Sequence, residues 1–203
     1  MAKRTFVVVG HKVSTAPDFT LDDLAGSTGR LDILLRAIHS ALLISHGVRR
    51  DSEIYLVLRG PPDPPITLRV DGEKVRYLNP DERSTGALVR QALIKARKLG
   101  SETGSEWMES TPGFFVSRKG LGDVLDLFEK RDLIYLHEKG EDIRGVDLSG
   151  EEVYLLSDHV DFTPEEENLI EKKGARRISL GPVNLHTHHA IILVHNELDR
   201  RGV

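Results

Sequence analysis

The stretches Glu152-Val-Tyr-Leu-Leu-Ser-Asp-His159 and Ile178-Ser-Leu-Gly-Pro-Val-Asn-Leu185 each carry a hydrophobic strand directly into a short polar loop. The second loop leads into a long apolar helix that ends near Arg201. In open α/β sheets, ligands bind at the loops that follow the carboxyl ends of parallel strands. Main-chain N–H groups in such loops can hold a small polar ligand without charged side chains. The end of the chain therefore predicts a ligand site at one edge of a sheet.

Strands alternate with helices through the rest of the chain. Apolar residues at helical spacing predict helices at 32–46, 84–99, 121–130, 164–173 and 185–201. Hydrophobic runs predict strands at 5–9, 53–58, 114–116, 133–136, 153–156 and 177–180, and residues 105–113 are expected to form a loop. This alternation predicts an α/β fold with a mostly parallel sheet and helices on both faces.

A hairpin signal interrupts this alternation. Residues 66–70 and 73–78 alternate between apolar and polar side chains, and Asp71-Gly72 joins them. An Asp-Gly pair between two alternating segments is a strong indication of a β-hairpin. We therefore predict one domain over residues 1–203, with a hairpin insertion at about 60–80.

Composition excludes several classes of protein. Cysteine is absent from the 203 residues, which rules out disulfides, thiolate metal sites and cysteine nucleophiles and fits a protein of the cytoplasm. No apolar run is long enough to span a bilayer. The short apolar run at residues 6–9 predicts a first strand rather than a secretory signal. The sequence thus predicts a cytoplasmic globular protein.

Charge is unevenly distributed along the chain, although the net charge is only −4. Residues 1–100 carry 16 Lys/Arg and 11 Asp/Glu, a net charge of +5, whereas residues 101–203 carry 12 and 21, a net charge of −9. Such asymmetry suggests an anionic partner for the basic half. A chance scatter of solvated charges would produce the same counts, so both interpretations stay open.

Common catalytic and nucleotide-binding motifs lack support. No G-x-G-x-x-G follows a strand and no G-x-x-x-x-G-K-[ST] occurs, which removes the support for a dinucleotide-binding fold or a P-loop. Ser157-Asp158-His159 contains the residue types of a triad, but neighbours in sequence cannot form a proton relay. His186 and His189 could share a metal ion only with a further carboxylate, and packing or solvated histidines are the simpler interpretation.

Arginine and aspartate cluster before two helices in the basic half. Gly29-Arg30-Leu31-Asp32, with Arg36 one turn later, precedes the first helix, and Pro80-Asp81-Glu82-Arg83-Ser84 precedes the second. The aspartate of each cluster, or Ser84, can cap its helix. An Arg/Asp pair at the start of a helix can also recognise a phosphate and the imide edge of a base. Two such clusters are more than capping alone requires.

Further short motifs accompany these two clusters: Asp18-Phe-Thr-Leu-Asp-Asp-Leu24, His46-Gly-Val-Arg49, Leu155-Leu-Ser-Asp-His159, Ser179-Leu-Gly-Pro182 and His195-Asn-Glu-Leu-Asp199. In this order and spacing, the motifs resemble the archaeal tRNA pseudouridine N1-methyltransferase family. That family belongs to the SPOUT superfamily of trefoil-knotted methyltransferases. The resemblance spans nearly the whole chain, and the combination of motifs is specific even though each is short.

The resemblance implies a C-terminal trefoil knot in which three loops hold a bent S-adenosylmethionine molecule. SPOUT proteins are usually dimers whose knots lie at the interface, which agrees with a last helix that is apolar on more than one side; a central core helix would look the same. Family members often carry a cysteine where Ala190 stands, so main-chain contact is implied at this position. Carried onto this chain, the cofactor-binding residues are Leu136, Leu156, Ser157, Leu180, Gly181, Pro182, Val183, Asn184, Leu185 and Ala190.

The implied substrate is pseudouridine in the T-loop of tRNA, at position 54, methylated on N1. The proton on N1 must leave as the methyl arrives, and a carboxylate can accept it or orient the ring; Asp32 is the first candidate and Asp81 the second. No metal is needed, because the methyl donor is already activated. The expected RNA-binding residues are Arg30, Arg36, Arg83 and Ser84.

Three alternatives to this function stay open at the level of sequence. The closest relatives of the family methylate a pseudouridine in small-subunit ribosomal RNA and share the Arg/Asp cluster. An RNA-binding module with an inactive cofactor pocket would have the same basic half. A metallohydrolase would use the histidines between His186 and His195.

Overall fold

A mixed sheet of eight strands lies at the centre of the protein, whose computed structural model describes residues 3–99 and 106–203. The strands of this sheet are β1 (Arg4–Gly10), β4 (Ser52–Leu58), β5 (Ile66–Asp71), β6 (Met108–Thr111), β7 (Phe114–Ser117), β8 (Leu133–Asp142), β9 (Val153–Ser157) and β10 (Arg176–Ser179), while β2 (Leu43–Ile44) and β3 (Gly47–Val48) pair separately. Their order is β10-β8-β9-β1-β4-β5-β7-β6. Pairing is parallel from β10 to β4 and antiparallel from β4 to β6.

Five helices within the described residues cover the two faces of this sheet. Alternate residues of β1 point to opposite faces, so Phe6 and Val8 pack in one hydrophobic core and Val7 and Val9 in another. The helices are α1 (Leu31–Leu42), α2 (Glu82–Ala96) and α5 (Thr187–Arg201) over the first core and α3 (Leu121–Asp126) and α4 (Pro164–Lys172) over the second. The predicted α/β fold, with a mostly parallel sheet and helices on both faces, is confirmed. No helix in these two ranges is long and apolar enough to cross a membrane.

The predicted hairpin around Asp71-Gly72 is wrong. β5 pairs with β4 and β7, and the chain after Asp71 forms a turn instead of a strand. The guanidinium of Arg50 donates hydrogen bonds to the carbonyls of Gly72 and Val75, at 2.8 and 2.9 Å. The side chain of Val75 is buried in the first core. These long-range contacts satisfy the main chain of the turn and draw it inward, which the local alternation of side chains could not indicate.

Several predicted boundaries also shift because of pairing with distant residues. α1 ends at Leu42 rather than at residue 46, because β2 and β3 form a short ladder directly after it. β8 continues past its predicted end to Asp142, because β10 pairs with it. β6 falls within the segment predicted as a loop, of which Ser105 lies outside the described residues. The predicted start of α4 is confirmed, with Thr163 and Glu166 forming a capping box.

A buried histidine joins the last helix to the rest of the fold. His195 on α5 donates from Nε2 to the carbonyl of Ala41 at 3.0 Å, so its Nδ1 is left to accept from Arg4 at 3.3 Å. Arg4 and Arg49 both bind Asp199 one turn further on. Burial is the main cause that lowers the pKa of His195 to about 4, and the neighbouring Arg49 and Arg4 add to it. The ring is therefore neutral in the folded protein.

This neutral histidine should make the protein sensitive to mild acid. Unfolded His195 binds a proton below pH 6.5 and folded His195 only below about 4, so the free energy of unfolding falls as pH drops through this window. The loss should reach about 3 kcal/mol. Urea unfolding between pH 7 and 4 measures it. His195→Gln should remove most of the slope, and identical slopes in the variant and the parent would contradict the role of this ring.

Candidate active site

A cavity of about 170 Å³ lies beside the carboxyl ends of β9 and β10 and the middle of β8. β8 pairs with β9 only through Tyr135, so the two strands separate from Leu136 onwards and open a space between them. Nine of the ten residues predicted to bind a cofactor line this space: Leu136, Leu156, Ser157, Leu180, Gly181, Val183, Asn184, Leu185 and Ala190. Pro182 lies in the same loop.

Hydrogen bonds hold the loops around the cavity in place. The hydroxyl of Thr187, in the first turn of α5, donates to the carbonyl of Ser157 at 2.7 Å and ties the helix to β9. The Ser179 hydroxyl donates to the carbonyl of Gly181 at 3.0 Å and closes the turn after β10. Gly181 has a φ of 135°, a backbone conformation that residues other than glycine rarely adopt. Residues 181–186 belong to no helix or strand, so their main chain lies outside the regular ladders.

The cavity suits the S-adenosylmethionine that the resemblance implies. Leucine side chains and Ala190 form apolar walls that fit the faces of an adenine ring. Ser157 and Asn184 add polar groups, and the carboxylates of Glu138 and Asp161 suit hydroxyl groups or a positively charged ligand. The residues present therefore match a ligand that combines a flat ring, a sugar and a cationic group.

A charged network that sequence patterns did not indicate positions one wall of this cavity. The Asp158 carboxylate is fully buried and accepts from the main-chain N–H of His11 at 3.1 Å and from that of Val160 at 3.0 Å. The ring of His11 bridges Asp158 at 3.0 Å and Glu166 at 2.8 Å. These two hydrogen-bonded carboxylates raise the pKa of His11 to about 9, so the ring is charged at neutral pH. In the sequence, the only sign of this network was that the polar residues His11 and Asp158 follow the ends of two hydrophobic strands.

A second cavity, of about 580 Å³, adjoins the first. The two share Asp158, Asp161, Asn184, Leu185 and Thr187 in their walls. The opposite wall of the second cavity comes from the start of α1 and includes two of the predicted RNA-binding arginines, Arg30 and Arg36. The fold thus brings the basic cluster of the first half against the loops predicted to hold the cofactor.

Asp32 lies behind these two arginines and does not cap α1. Arg30 is the N-cap residue, and Thr28 accepts the hydrogen bond from the main chain of Leu31 at 2.9 Å. The buried carboxylate of Asp32 accepts two hydrogen bonds from Arg30, at 2.9 and 3.0 Å, and one from Arg36. Burial alone would raise the pKa of Asp32, but the two arginines outweigh it and hold the pKa below its usual value. Asp32 is therefore an anion that holds two arginines side by side.

The second Arg/Asp cluster acts mainly as a helix cap. Asp81 accepts from the main chain of Ser84 at 2.8 Å and from its hydroxyl at 2.5 Å, while Arg83 binds Asp22 on the surface. Among the described residues, none of this cluster lines either cavity. The cluster adjoins the first one through Glu82, which lies 3.7 Å from Arg36. The catalytic role of Asp81 and the RNA-binding roles of Arg83 and Ser84 stay predictions.

Three histidines form a group at the start of α5. The ring centroids of His188 and His189 are 4.1 Å apart, and that of His186 lies 5.8 and 5.6 Å from them. His186 and His188 line the second cavity. In the described part of the chain, no group of three or more His, Asp or Glu side chains has an arrangement that could hold a metal ion. The metallohydrolase alternative thus finds no support in the geometry.

Comparison with known proteins places this chain in one family. A family model described as "Putative SAM-dependent RNA methyltransferase" matches residues 3–203. A protein of Methanococcoides burtonii is 50% identical over 97% of this chain and 96% of its own length. Proteins of Methanocella arvoryzae and Methanocaldococcus jannaschii are 46% and 38% identical, each over 98% of this chain and 100% and 98% of their own lengths. All three are named tRNA (pseudouridine(54)-N(1))-methyltransferase.

A solved structure shares the fold over its full length. Archaeoglobus fulgidus Nep1 bound to S-adenosylhomocysteine matches this chain with a TM-score of 0.64, and the match covers 100% of both chains. The sequence identity is 18%, so this likeness concerns the fold alone.

Proposed function

Since the chain belongs to the SAM-dependent RNA methyltransferase family that it matches over residues 3–203, we propose that it methylates N1 of pseudouridine 54 in tRNA. The three relatives with this name are 38–50% identical and align over nearly the whole chain. The observation that carries the proposal is the contact between two cavities, one built from the loops after β9 and β10 and one lined by Arg30 and Arg36. Methyl donor and RNA would meet at their shared wall.

S-adenosylmethionine supplies a methyl group on a positively charged sulfur, which makes it reactive without a metal. The chain holds this cofactor with residues 136–138 of β8 and with the loops at residues 180–185 and 156–158. The His11–Asp158 pair fixes the second of these loops against the end of β1. Much of the rate gain would come from alignment of methyl and base, because well-oriented pairs gain roughly 7–11 kcal/mol.

The arginine wall binds the RNA. To reach the methyl, the target base leaves its stack, and the partly exposed guanidinium groups of Arg30 and Arg36 bind a flanking phosphate or a carbonyl of the base. Both oxygens of Asp32 already accept hydrogen bonds from these arginines, so we assign Asp32 a positioning role rather than that of the proton acceptor. The carboxylate keeps two like charges close together at the wall of the cavity.

Loss of Arg30 should weaken RNA binding and its dependence on salt. Arg30→Ala removes one cation from the wall. We therefore expect the slope of log K against log salt to fall in magnitude by about the contribution of one phosphate contact. Arg176→Ala is the matched control, because Arg176 is similarly exposed and also pairs with an aspartate but lies at the other end of β10. Binding of a labelled tRNA between 50 and 300 mM salt measures both slopes. Equal slopes for Arg30→Ala and the parent would contradict the phosphate role.

Transfer of a labelled methyl to matched RNA hairpins tests the proposed function. One hairpin carries pseudouridine at the T-loop position and the other uridine, whose N1 is blocked by its bond to ribose. We expect transfer to the first hairpin alone, with the methyl on N1. Equal transfer to both would refute the proposal. Preference for a ribosomal RNA hairpin would favour the rRNA alternative, and RNA binding without any transfer would favour a non-catalytic module.

We extend the proposal to the SPOUT class and its trefoil knot. The last turn of α5 lies under the connection between β8 and β9, because Arg201 donates to the carbonyls of Ile143 and Val146 at 2.7 and 2.5 Å. On its other side, α5 packs against α1. The segment that follows β10 and leads into α5 would therefore pass between α1 and the β8–β9 connection. It would be threaded through that connection, as a knot requires.

We also propose that the protein is a homodimer and works in the cytoplasm, where tRNA is processed. Val183, Leu185, Ile192 and Leu193 are exposed apolar side chains on α5 and the loop before it. They adjoin the cofactor cavity, whose wall includes the first two of them. Contact with a second copy would remove this apolar surface from water.

A further inference from the structure

Methylation of N1 leaves one proton without an assigned acceptor. This inference rests on the proposed function, in which an N1–H bond of the base is replaced by a bond from N1 to carbon. Asp32 is occupied by two arginines, and Asp158 is buried against His11. Neither carboxylate is free to approach the base. Asp161 lines both cavities but is exposed to solvent, and Asp161→Asn tests it as the alternative acceptor.

Of the three histidines that line the second cavity, His159 and His186 are exposed, whereas His188 is half-buried. Its half-buried ring lines the second cavity, directly after Thr187, which lines both. Within the described part of the chain, neither ring nitrogen of His188 has a hydrogen-bond partner, in contrast to those of His11 and His195. Contact with the rings of His189 and His186 holds it in place.

The surroundings of His188 keep the ring neutral. Arg30 and Arg36 face it from α1 with Asp32 between them, and His186 and His189 flank it on α5. From the loop after β9, the same cavity is faced by Asp158, His159 and Asp161. Burial, followed by His189, Arg36 and His186, lowers the pKa of His188 below 6.5. The positive end of the α5 dipole acts in the same direction.

We propose that His188 accepts the N1 proton of the target base during methyl transfer. N1 gives its proton to a ring nitrogen of His188 and forms a bond to the methyl carbon. The bond between that carbon and sulfur breaks and leaves its electron pair on sulfur. The products are the N1-methylated base, a neutral thioether and a His188 imidazolium, which then releases its proton to water.

Single-turnover methyl transfer as a function of pH tests this role. With the pseudouridine hairpin, the rate of the parent should fall with acid below the ordinary histidine pKa of 6.5, because protonated His188 cannot accept a proton. His188→Gln should slow transfer at least about tenfold at pH 7.5 and remove this acid limb. Added imidazole should partly restore His188→Ala. His189→Gln, a neighbour on the same helix turn, should keep the acid limb.

Binding measurements separate chemistry from a structural effect. Affinities for S-adenosylmethionine and for the hairpin should stay within about twofold in His188→Gln, with an unchanged melting temperature. Proton titration of the His188 ring by NMR, assigned by its loss in His188→Gln, should give a pKa below 6.5 in the free protein. A parent without any transfer to pseudouridine would refute the proposed function. An active parent whose rate and pH profile are unchanged in His188→Gln would overturn only this inference. The same holds if Asp161→Asn abolishes methyl transfer while His188→Gln retains it.

Discussion

Replacing Ala190 by leucine is expected to lower the affinity for S-adenosylmethionine by on the order of 100-fold. Ala190 is buried, lies in the second turn of α5 and forms part of the wall of a cavity of about 170 Å³. The larger side chain would occupy space that the ligand needs, and the helix is held too firmly to move aside, because Thr187 ties its start to β9. Overfilling a packed site costs typically ~1–3 kcal/mol, and every 1.4 kcal/mol is about tenfold in affinity.

Titration calorimetry with S-adenosylmethionine measures this change. Ala190→Cys is the matched control, because cysteine is only slightly larger than alanine and is the residue that the resemblance leads one to expect here. Its affinity should stay close to that of the parent. Ile94→Leu, an exposed position on α2 that does not line the cavity, should also have no effect. An affinity of Ala190→Leu within threefold of the parent would mean that the cofactor binds elsewhere.

Replacing Asp32 by asparagine is expected to reduce single-turnover methyl transfer at least about tenfold, while binding of S-adenosylmethionine stays unchanged. Asparagine has the shape of aspartate without its charge, so Arg30 and Arg36 would lose their shared partner and repel each other. Removal of one partner from a buried ion pair destabilises by roughly 3–5 kcal/mol, although the partial exposure of both arginines reduces that figure here. The displaced guanidinium groups would no longer align the base with the methyl.

Rapid-quench measurements with saturating tRNA isolate this effect from binding. Asp22→Asn is the matched control, because Asp22 also pairs with an arginine, Arg83, but both side chains are largely exposed. Surface pairs of this kind contribute about 0–1 kcal/mol, so transfer by the control should match that of the parent. If Asp32→Asn binds tRNA normally and transfers methyl at the parental rate, the carboxylate has no part in positioning the base.

Local patterns were sufficient for most of the helices and strands and for one side of the site. The alternation of strands and helices predicted the parallel sheet, and the capping signals at Thr163 predicted the start of α4. The polar loops after β9 and β10 were recognisable because apolar strands end abruptly at Ser157 and Ser179. The particular lining residues came from the resemblance, and nine of ten line one cavity. These features are encoded by neighbours within a few residues of each other.

The predictions that the structure overturned share one cause: residues distant in sequence compete with local ones for the same hydrogen bonds. Asp71-Gly72 has the chemistry of a hairpin turn, yet Arg50 and β7 take the hydrogen bonds that a second hairpin strand would need. Asp32 has the position of a helix cap, yet two arginines bind its carboxylate and Thr28 replaces it as the acceptor. Local propensity specifies what a residue can do, and tertiary contacts select among these options.

The sequence by itself determined most of the helices and strands of this protein, the order in which they occur and the basic character of its first half. Only the tertiary structure decided that Arg30 of α1 and His188 of α5, more than 150 residues apart, share one cavity, and that His11 supports its wall through Asp158. The physical reason is that periodicity reports the environment of a single element. The pKa of a group and its partners depend instead on distances of a few ångströms between elements, which exist only once the sheet has assembled.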